Sequence, residues 1–287
     1  MKVKELAIRQ KYNKLDTSLS GIHRFSESTA LLYHENSKLT PLLSRQLGMK
    51  IAAFDNPYTN ERASQPYKQY PGLPFISFDE YSKYGAPEAD MFQLIQNRRS
   101  LREYRDYPIS INELYYLLHY AYGVTARMQA QSINGTWAYR AVPSAGALYP
   151  LEIYVAVLNG QLPHGLYHYR PDRNGIEQVK EGEFYEDLKD RIKAEPYINL
   201  SKASAIIFIT GVYERVLVKY GDRGYRFILQ EAGFVAQNMS LTANAIGLGS
   251  CMAGSFLDDQ VDEFLGNPHP GESILNVLVV GKENAQN

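Results

Sequence analysis

Residues 205–212 read AIIFITGV, and residues 224–246 read GYRFILQEAGFVAQNMSLTANAI. The first stretch is almost entirely apolar and rich in β-branched residues, which is typical of a strand buried on both faces. The second stretch repeats apolar residues at helical spacing, so it predicts a long amphipathic helix with one buried face. A buried strand followed by such a helix indicates a layered fold in which helices cover a sheet.

Shorter patterns on either side of these two stretches complete the predicted fold. Strands are predicted at Ile153–Leu158, Leu166–Arg170 and Ile274–Val280. Helices are predicted at Asp90–Arg98 and from Ser110 to about Tyr122, where Ser110 and Glu113 have the spacing of a capping box. The sequence therefore predicts an α+β fold with three layers, in which helices flank one mixed central sheet.

The composition of the chain changes near residue 88. Residues 55–87 contain many tyrosines and five prolines, which are Pro57, Pro66, Pro71, Pro74 and Pro87. Proline lacks the amide donor and restrains the residue before it, so we expect an extended, wrapping segment there. The chain is thus predicted to have an N-terminal extension over 1–87, with short helices at Ser28–Glu35 and Pro41–Leu47, and a regular domain over 88–287.

The overall composition limits the classes of function. The 287 residues carry 30 Lys+Arg and 31 Asp+Glu, and this balance provides no electrostatic footprint for nucleic acid or an anionic membrane. The single cysteine, Cys251, excludes an internal disulfide and a multi-cysteine metal site, and the six histidines lack metal-ligand spacing. No apolar run reaches the roughly 18–20 residues of a membrane span, and the charged start, Met1–Arg9, lacks a signal region. We therefore expect a cytoplasmic protein with no metal, membrane or nucleic-acid partner.

Three short segments carry residues suited to binding a ligand. Residues 98–102, RRSLR, place three guanidinium groups and a hydroxyl together, a set that can bind phosphate but is also ordinary at a helix C-terminus. Residues 143–150, PSAGALYP, form a small-residue loop that would let a flat ligand approach the backbone, or only a tight strand-entry turn. Residues 246–256 are a second small-residue segment, which would equally well terminate the long helix.

Lys219 and Tyr220 lie between the buried strand and the long helix. A lysine beside a tyrosine in a partly desolvated pocket is a candidate general base. A polar loop before a helix explains the same residues, and sequence alone does not show the desolvation. Taken one segment at a time, these alternatives stay open.

Together and in order, the segments resemble the nitroreductase-like FMN flavoproteins. That superfamily has an Arg-X-Ser-X-(Lys/Arg) motif, a loop with Pro-Ser at its start and Pro at its end, and a Gly-Leu-Gly turn. The matching residues here are Arg98, Ser100 and Arg102, then 143–150, then 247–249. A narrower resemblance, to the SagB-type azoline dehydrogenases of thiazole/oxazole-modified peptide biosynthesis, rests on Ser144–Pro150, on Lys219-Tyr220-Gly221 and on residues 33–38, YHENSK.

The resemblance implies a homodimer that binds FMN at the subunit interface. Five residues would bind the phosphate: Arg98, Arg99, Ser100, Arg102 and, near the C-terminus, Lys282. The flavin would be contacted from the partner subunit by the loop residues Pro143, Ser144, Ala145 and Ala147, and its N5 atom would lie near the backbone of Ala253, Gly254 and Ser255. Lys219, assisted by Tyr220, would take a proton from the azoline ring.

The implied activity is the FMN-dependent oxidation of peptide thiazolines or oxazolines to thiazoles or oxazoles. Oxygen would be the final electron acceptor, and a cyclodehydratase complex is the expected partner. Many nitroreductases have an acidic residue where this chain has Gly254, which argues against a generic nitroreductase. Two alternatives remain, namely an NAD(P)H-dependent nitro or quinone reductase and a non-catalytic flavin-fold scaffold in a biosynthetic complex.

Overall fold

The computed structural model describes residues 28–85, 87–129, 136–267 and 270–284, so the charged start Met1–Arg9 lies outside the described residues. The chain divides into two compact units, Met1–Ala52 and Ala53–Asn287. In the first unit, helices α1 (Thr29–Asn36) and α2 (Pro41–Phe54) begin near the residues where two short helices are predicted. Helix α2 ends two residues inside the second unit, beyond its predicted end at Leu47.

The second unit contains the sheet and the remaining helices. Its helices are α3 (Pro57–Ala63), α4 (Met91–Asn97), α5 (Ile111–Tyr122), α6 (Tyr185–Ile192), α7 (Glu214–Tyr220), α8 (Gly224–Ala245) and α9 (Asp258–Leu265). Its strands are β1 (Phe75–Ser77), β2 (Tyr104–Arg105), β3 (Val124–Gln129), β4 (Thr136–Arg140), β5 (Leu151–Val157), β6 (Gly165–Arg170), β7 (Gly175–Glu181), β8 (Ala205–Val212), β9 (Gly249–Ala253) and β10 (Glu272–Glu283). No described helix is both long enough and apolar enough to cross a membrane.

Eight strands form the main sheet, in the order β1-β7-β6-β5-β8-β10-β2, with β9 also paired to β10. The sheet is predicted to be mixed, with both parallel and antiparallel pairs. This needs correction, because every ladder between these described strands is antiparallel. Strands β8 and β9 do run in the same direction, but β10 lies between them, since α8 carries the chain across it. Parallel pairing in the described residues is limited to two isolated bridges, Ser100 with Ser250 and Ile109 with Gly160.

Both faces of the sheet are covered, as the three-layer prediction requires. On one face, Ile153 and Ile207 pack into a core with the buried sides of α5 and α8. On the other face, Tyr154 and Phe208 pack with α6 and α9. Strand β8 contributes to both cores, so its apolar sequence reflects burial on both sides.

The proline-rich segment 55–87 is extended only in part. Pro57 is the first residue of α3, where a backbone N–H would make no hydrogen bond within the helix, so proline is well suited to this position. Asn56 caps the helix by accepting a hydrogen bond from the Thr59 N–H at 3.1 Å. Farther along, the Lys68 ammonium pairs with Glu272 at 2.8 Å, and β1 adds to the edge of the sheet. The segment is therefore part helix and part sheet edge.

The capping box predicted before α5 is confirmed, and α4 has an N-cap as well. Asp90 accepts hydrogen bonds from two amides in the first turn of α4. Ser110 and Glu113 form the reciprocal capping box of α5. These caps mark where both helices begin, and α4 ends at Asn97, directly before the arginine-rich segment 98–102.

Candidate active site

The first group of candidate side chains lies at the start of β9. The Leu101 N–H donates to the Ser250 carbonyl at 2.9 Å, which ties the segment 98–102 to this strand. Burial raises the pKa of the Cys251 thiol, while Arg102, a hydrogen bond with Ser100 and Arg98 act in the opposite direction. Ser100 therefore contacts this short piece of chain directly, and Arg98 and Arg102 lie near enough to act on it electrostatically.

Lys282 approaches this group from the last strand. A Cβ atom built at Gly247 would lie 3.2 Å from the Lys282 Nζ, so the ammonium group sits at the Gly-Leu-Gly turn. Gly249 is required for the packing, because a Cβ there would lie 2.2 Å from the Leu101 side chain. Within the described ranges, no carboxylate pairs with Arg98, Arg102 or Lys282. The group is thus a cluster of cations whose charge no described carboxylate neutralises at ion-pair distance.

Arg99 differs from its neighbours. Its guanidinium donates to the carbonyl oxygens of Gln96 and Arg98, at 3.0 and 2.8 Å, and so caps the end of α4. Arg99 and Ser100 also line a cavity of about 670 Å³ between α4, the end of α8 and the turn at 247–249. The lining includes the carboxylates Glu88, Asp90 and Glu283, so this cavity is mixed in charge.

The loop 143–150 has an unusual backbone. Gly146, Ala147 and Tyr149 have φ values of 65°, 53° and 42°, all in the left-handed region. For residues other than glycine this conformation costs on the order of 1–2 kcal/mol each, so the surrounding structure must maintain it. One such contact is the hydrogen bond from the Tyr149 N–H to the Ser144 Oγ at 2.9 Å.

Lys219 and Tyr220 meet this loop from the end of α7. A Cβ at Gly146 would lie 2.7 Å from the Tyr220 hydroxyl oxygen and 3.1 Å from the Lys219 Nζ. Burial raises the pKa of Tyr220, so its phenol keeps its proton at neutral pH and can donate a hydrogen bond. Among the described residues no carboxylate forms an ion pair with Lys219, whose Nζ lies 5.2 Å from the centre of the Phe54 ring. The two predicted catalytic side chains therefore converge on one glycine of the loop.

A groove of about 390 Å³ opens beside this pair. Helix α3, residues 65–67 and α7 form its walls. Phe54, which contacts Lys219, and Leu148, which belongs to the loop, both line it. Tyr58 and Val218 are exposed in the groove, so it presents apolar surface next to Lys219 and Tyr220.

Ala253, Gly254 and Ser255 lie where β9 ends. Ala253 is buried, whereas Gly254 and Ser255 are exposed. The Ser255 hydroxyl donates to the Lys193 carbonyl at 3.0 Å. These residues continue the same strand whose first residues carry the cation cluster.

One residue of this region, Glu231 on α8, is not among the residues predicted from the sequence. Its side chain is only 2% exposed, and its carboxylate accepts a hydrogen bond from the Tyr122 hydroxyl at 2.8 Å. Burial raises its pKa to about 7, although hydrogen bonds from Ser144 and Tyr122 oppose this. A signal was present, because Glu231 falls on the apolar face of the helix, three residues after Ile228 and four before Val235.

These groups lie in a part of the chain that matches a known protein family. The model of the nitroreductase family matches residues 95–282, a range that contains every candidate site residue from Arg98 to Lys282. The chain belongs to the nitroreductase family. The expected nitroreductase-like fold is thereby confirmed.

Individual relatives of this nitroreductase-family chain include proteins of two kinds. MJ1384 of Methanocaldococcus jannaschii, named as a nitroreductase, is 37% identical over 179 residues, which are 62% of this chain and 85% of that protein. The microcin B17-processing protein McbC of Escherichia coli is 32% identical over 127 residues, 42% of this chain and 46% of McbC. The trifolitoxin-processing protein TfxB of Rhizobium leguminosarum bv. trifolii is 28% identical over 178 residues, 60% of this chain and 47% of TfxB. The matches thus span about half the length of the two processing proteins.

Solved structures show the same fold. A nitroreductase-like protein from Anabaena variabilis superposes with a TM-score of 0.67 and 26% identity, over 88% of this chain and 45% of that one. A chain of the E. coli microcin synthetase McbBCD complex, solved with truncated pro-MccB17 bound, superposes with a TM-score of 0.54 and 22% identity, over 86% of this chain and 98% of that one.

Proposed function

We propose that this nitroreductase-family protein binds FMN and oxidises thiazoline or oxazoline rings in a peptide to thiazoles or oxazoles. The observation that carries the proposal is the convergence of the Lys219 Nζ and the Tyr220 hydroxyl on Gly146. A general base and a hydroxyl donor beside a small-residue loop are the groups needed to take a proton from a flat ring lying there.

The cation cluster fits the phosphate of FMN. A phosphate dianion needs positive charge and donors, and Arg98, Arg102 and Lys282 have no described carboxylate partner to compete for it. The hydroxyl of Ser100 adds a further donor, and Gly247, which has no side chain, lets the Lys282 ammonium lie against the turn at 247–249. Arg99 would contribute through the cavity that it lines, although its guanidinium already caps α4.

A homodimer would complete the site. The cation cluster and the loop 143–150 with Lys219 form two separate groups of contacts in the chain, and we propose that the flavin lies where the first group of one protomer meets the second group of its partner. Pro143, Ser144, Ala145 and Ala147 would then contact the flavin, as would the backbone of Ala253, Gly254 and Ser255. Helix α4 supports an interface near the cluster, because its apolar side chains Met91, Phe92 and Ile95 are exposed, Phe92 to 83%.

In the proposed reaction the chain's own residues orient the ring and move a proton. The Nζ of Lys219 accepts the proton from the ring Cα, and Tyr220, which keeps its own proton, donates a hydrogen bond to a ring heteroatom or to the peptide carbonyl. The loop backbone at Gly146 limits how deeply the ring can enter. When bound, FMN would supply the redox chemistry by accepting the two electrons and the second hydrogen as a hydride from the neighbouring ring carbon, and oxygen, reduced to hydrogen peroxide, is the proposed final acceptor.

The relatives support a peptide as the substrate. McbC and TfxB are named for processing microcin B17 and trifolitoxin, and the McbBCD complex was solved with a truncated pro-peptide. We therefore propose that a cyclodehydratase complex supplies the azoline peptide to this protein, as the SagB-type resemblance implies. The groove beside Lys219 would bind the residues that flank the ring, because it offers a peptide both apolar surface at Tyr58 and Val218 and charged groups at Arg62 and Glu214.

The test is the mass of the product. Protein reconstituted with FMN is incubated with an azoline-containing peptide in air, and the peptide is expected to lose two hydrogen atoms per oxidised ring. Omission of FMN should prevent the change. A peptide of unchanged mass, together with NADPH-dependent reduction of a nitroarene or quinone, would favour the reductase alternative that the similarity to MJ1384 keeps open.

A further inference from the structure

We propose that Glu231 is a positioning residue that holds the loop 143–150 against Lys219 and Tyr220. This inference rests on the proposed function of that pair, and it assigns a role to a buried carboxylate outside the predicted site. Glu231 itself contacts neither Lys219 nor the proposed ring, so its effect is exerted through the loop.

The carboxylate of Glu231 reaches both ends of the loop. At the beginning, it accepts a hydrogen bond from the Ser144 hydroxyl. Beyond the end, the Tyr122 hydroxyl donates to Glu231 at 2.8 Å and accepts the Leu151 N–H at 3.1 Å. One buried side chain therefore sets the position of the residues that enter and leave the loop.

The requirement for a carboxylate follows from the donors around it. The Ser144 Oγ already accepts the Tyr149 N–H, and the Tyr122 hydroxyl already accepts the Leu151 N–H. Each hydroxyl thus has its proton left to donate, and both protons point to residue 231. Once ionised, above its pKa of about 7, the carboxylate accepts both, whereas a glutamine offers one oxygen and an amide group that is itself a donor.

The loop needs such support because its backbone is strained. Ala147 and Tyr149 have positive φ without being glycine. Tyr149 is fastened further by its hydroxyl, which accepts the Arg140 N–H at 2.9 Å, and the Arg140 guanidinium lies 4.3 Å from the centre of the Tyr122 ring. Arg140 and Arg215 are the cations that act on Glu231.

The supported loop presents Gly146 to the catalytic pair. A Cβ built at Gly146 would lie 2.7 Å from the Tyr220 hydroxyl and 3.1 Å from the Lys219 Nζ, so the loop backbone lies close against the pair. Relaxation of the strained backbone would change the position of a ring lying on Gly146 relative to Lys219. A shift of about 1 Å costs up to about 100-fold in rate, so Glu231 is expected to affect the chemical step.

The experiment compares Glu231→Gln and Glu231→Ala with the control Asp262→Asn. Asp262 is another buried carboxylate with a raised pKa, but it accepts hydrogen bonds from Ile274 and Asn267, away from the loop. In the full-length protein we expect amide hydrogen exchange over 143–151 to become about tenfold faster in both Glu231 variants and to be unchanged in the control. With an azoline peptide, kcat should fall about 10- to 100-fold in Glu231→Gln while KM changes little.

Two results would overturn the inference. One is wild-type exchange of the Tyr149 and Leu151 amides in a folded Glu231→Gln protein. The other is an equal fall of kcat in Asp262→Asn, since that would reflect a general loss of stability. If the wild-type protein oxidises no azoline, the proposed function fails, and the exchange measurement still decides whether Glu231 holds the loop.

Discussion

A Cβ atom at Gly146 would stand 2.7 Å from the hydroxyl oxygen of Tyr220. Real Cβ atoms do not approach other heavy atoms so closely, and the φ of +65° at this glycine would strain any other residue as well. The small-residue loop and the Lys219–Tyr220 pair therefore fit together only because residue 146 has no side chain.

Gly146→Ala should disturb the proposed reaction more than the fold. The added methyl group displaces the Tyr220 hydroxyl or the loop, so we expect kcat for azoline oxidation to fall at least about tenfold. The matched control is Gly48→Ala in α2, where a Cβ meets no atom within 4 Å and alanine favours the helix. Steady-state kinetics and thermal unfolding of both variants measure this, and wild-type kinetics in Gly146→Ala would contradict the predicted fit.

Substitution of the cation cluster should weaken flavin binding. Arg102→Ala and Lys282→Ala each remove a charged donor from the proposed phosphate site, so the Kd for FMN should rise about tenfold or more. Lys202→Ala is the control, because that ammonium is exposed and pairs with Asp106 at 2.7 Å. Quenching of flavin fluorescence measures the Kd, and equal affinity in all three variants would remove the cluster from the FMN site.

The stability of the protein should depend on pH through Glu231. Its pKa is about 7 in the fold, against 4.5 for an ordinary glutamate, because burial disfavours the charged form. Between these values the folded chain keeps a proton that the unfolded chain has released. This proton stabilises the fold fully below pH 4.5, and its stabilising effect is lost as the pH rises to 7. The free energy of unfolding should therefore decrease by about 3 kcal/mol over this range.

Urea unfolding at several pH values tests this dependence. Glu231→Gln cannot titrate, so its free energy of unfolding should fall less than that of the wild type between pH 4.5 and 7. Parallel curves for the two proteins would mean that Glu231 ionises in the fold as it does in the unfolded chain.

Substitutions in the groove should weaken binding of the peptide without slowing the reaction at the ring. Tyr58→Ala and Val218→Asp change its apolar walls, so KM for an azoline peptide should rise about tenfold with kcat nearly unchanged. Tyr197→Ala is the control, since Tyr197 is 80% exposed, comparable with 71% for Tyr58, and does not line the groove. An unchanged KM in both groove variants would place peptide binding elsewhere.

Much of the fold could be predicted because burial leaves a direct pattern in the sequence. Strand β8 matches the predicted Ala205–Val212, and helix α8 ends one residue before its predicted limit at Ile246. The antiparallel pairing could not be read in this way, because the alternation of residues in one strand carries no information about its neighbour's direction. Helix α3 was missed since Pro57 was interpreted as favouring extended chain, although a proline also suits the first turn of a helix.

The candidate site was predictable only as separate pieces. Local motifs indicated the segment 98–102, the loop 143–150 and Lys219, and the structure brings the last two into contact. Lys282 reaches the glycine turn through the pairing of β10, a long-range arrangement that its own sequence neighbours do not reveal. Glu231 was overlooked because a glutamate in a helix is usually exposed, and only its position among apolar residues contradicts that expectation.

The most direct test of the central claim is a visible spectrum recorded without oxygen. Wild-type protein reconstituted with FMN is mixed with an azoline-containing peptide, and the visible absorption band of the flavin is expected to bleach. Lys219→Ala should bind the same flavin and bleach about 10²- to 10⁴-fold more slowly, because it lacks the general base. A band that the peptide leaves unchanged and only NADPH bleaches would contradict azoline oxidation, and wild-type bleaching in Lys219→Ala would contradict the role of the lysine.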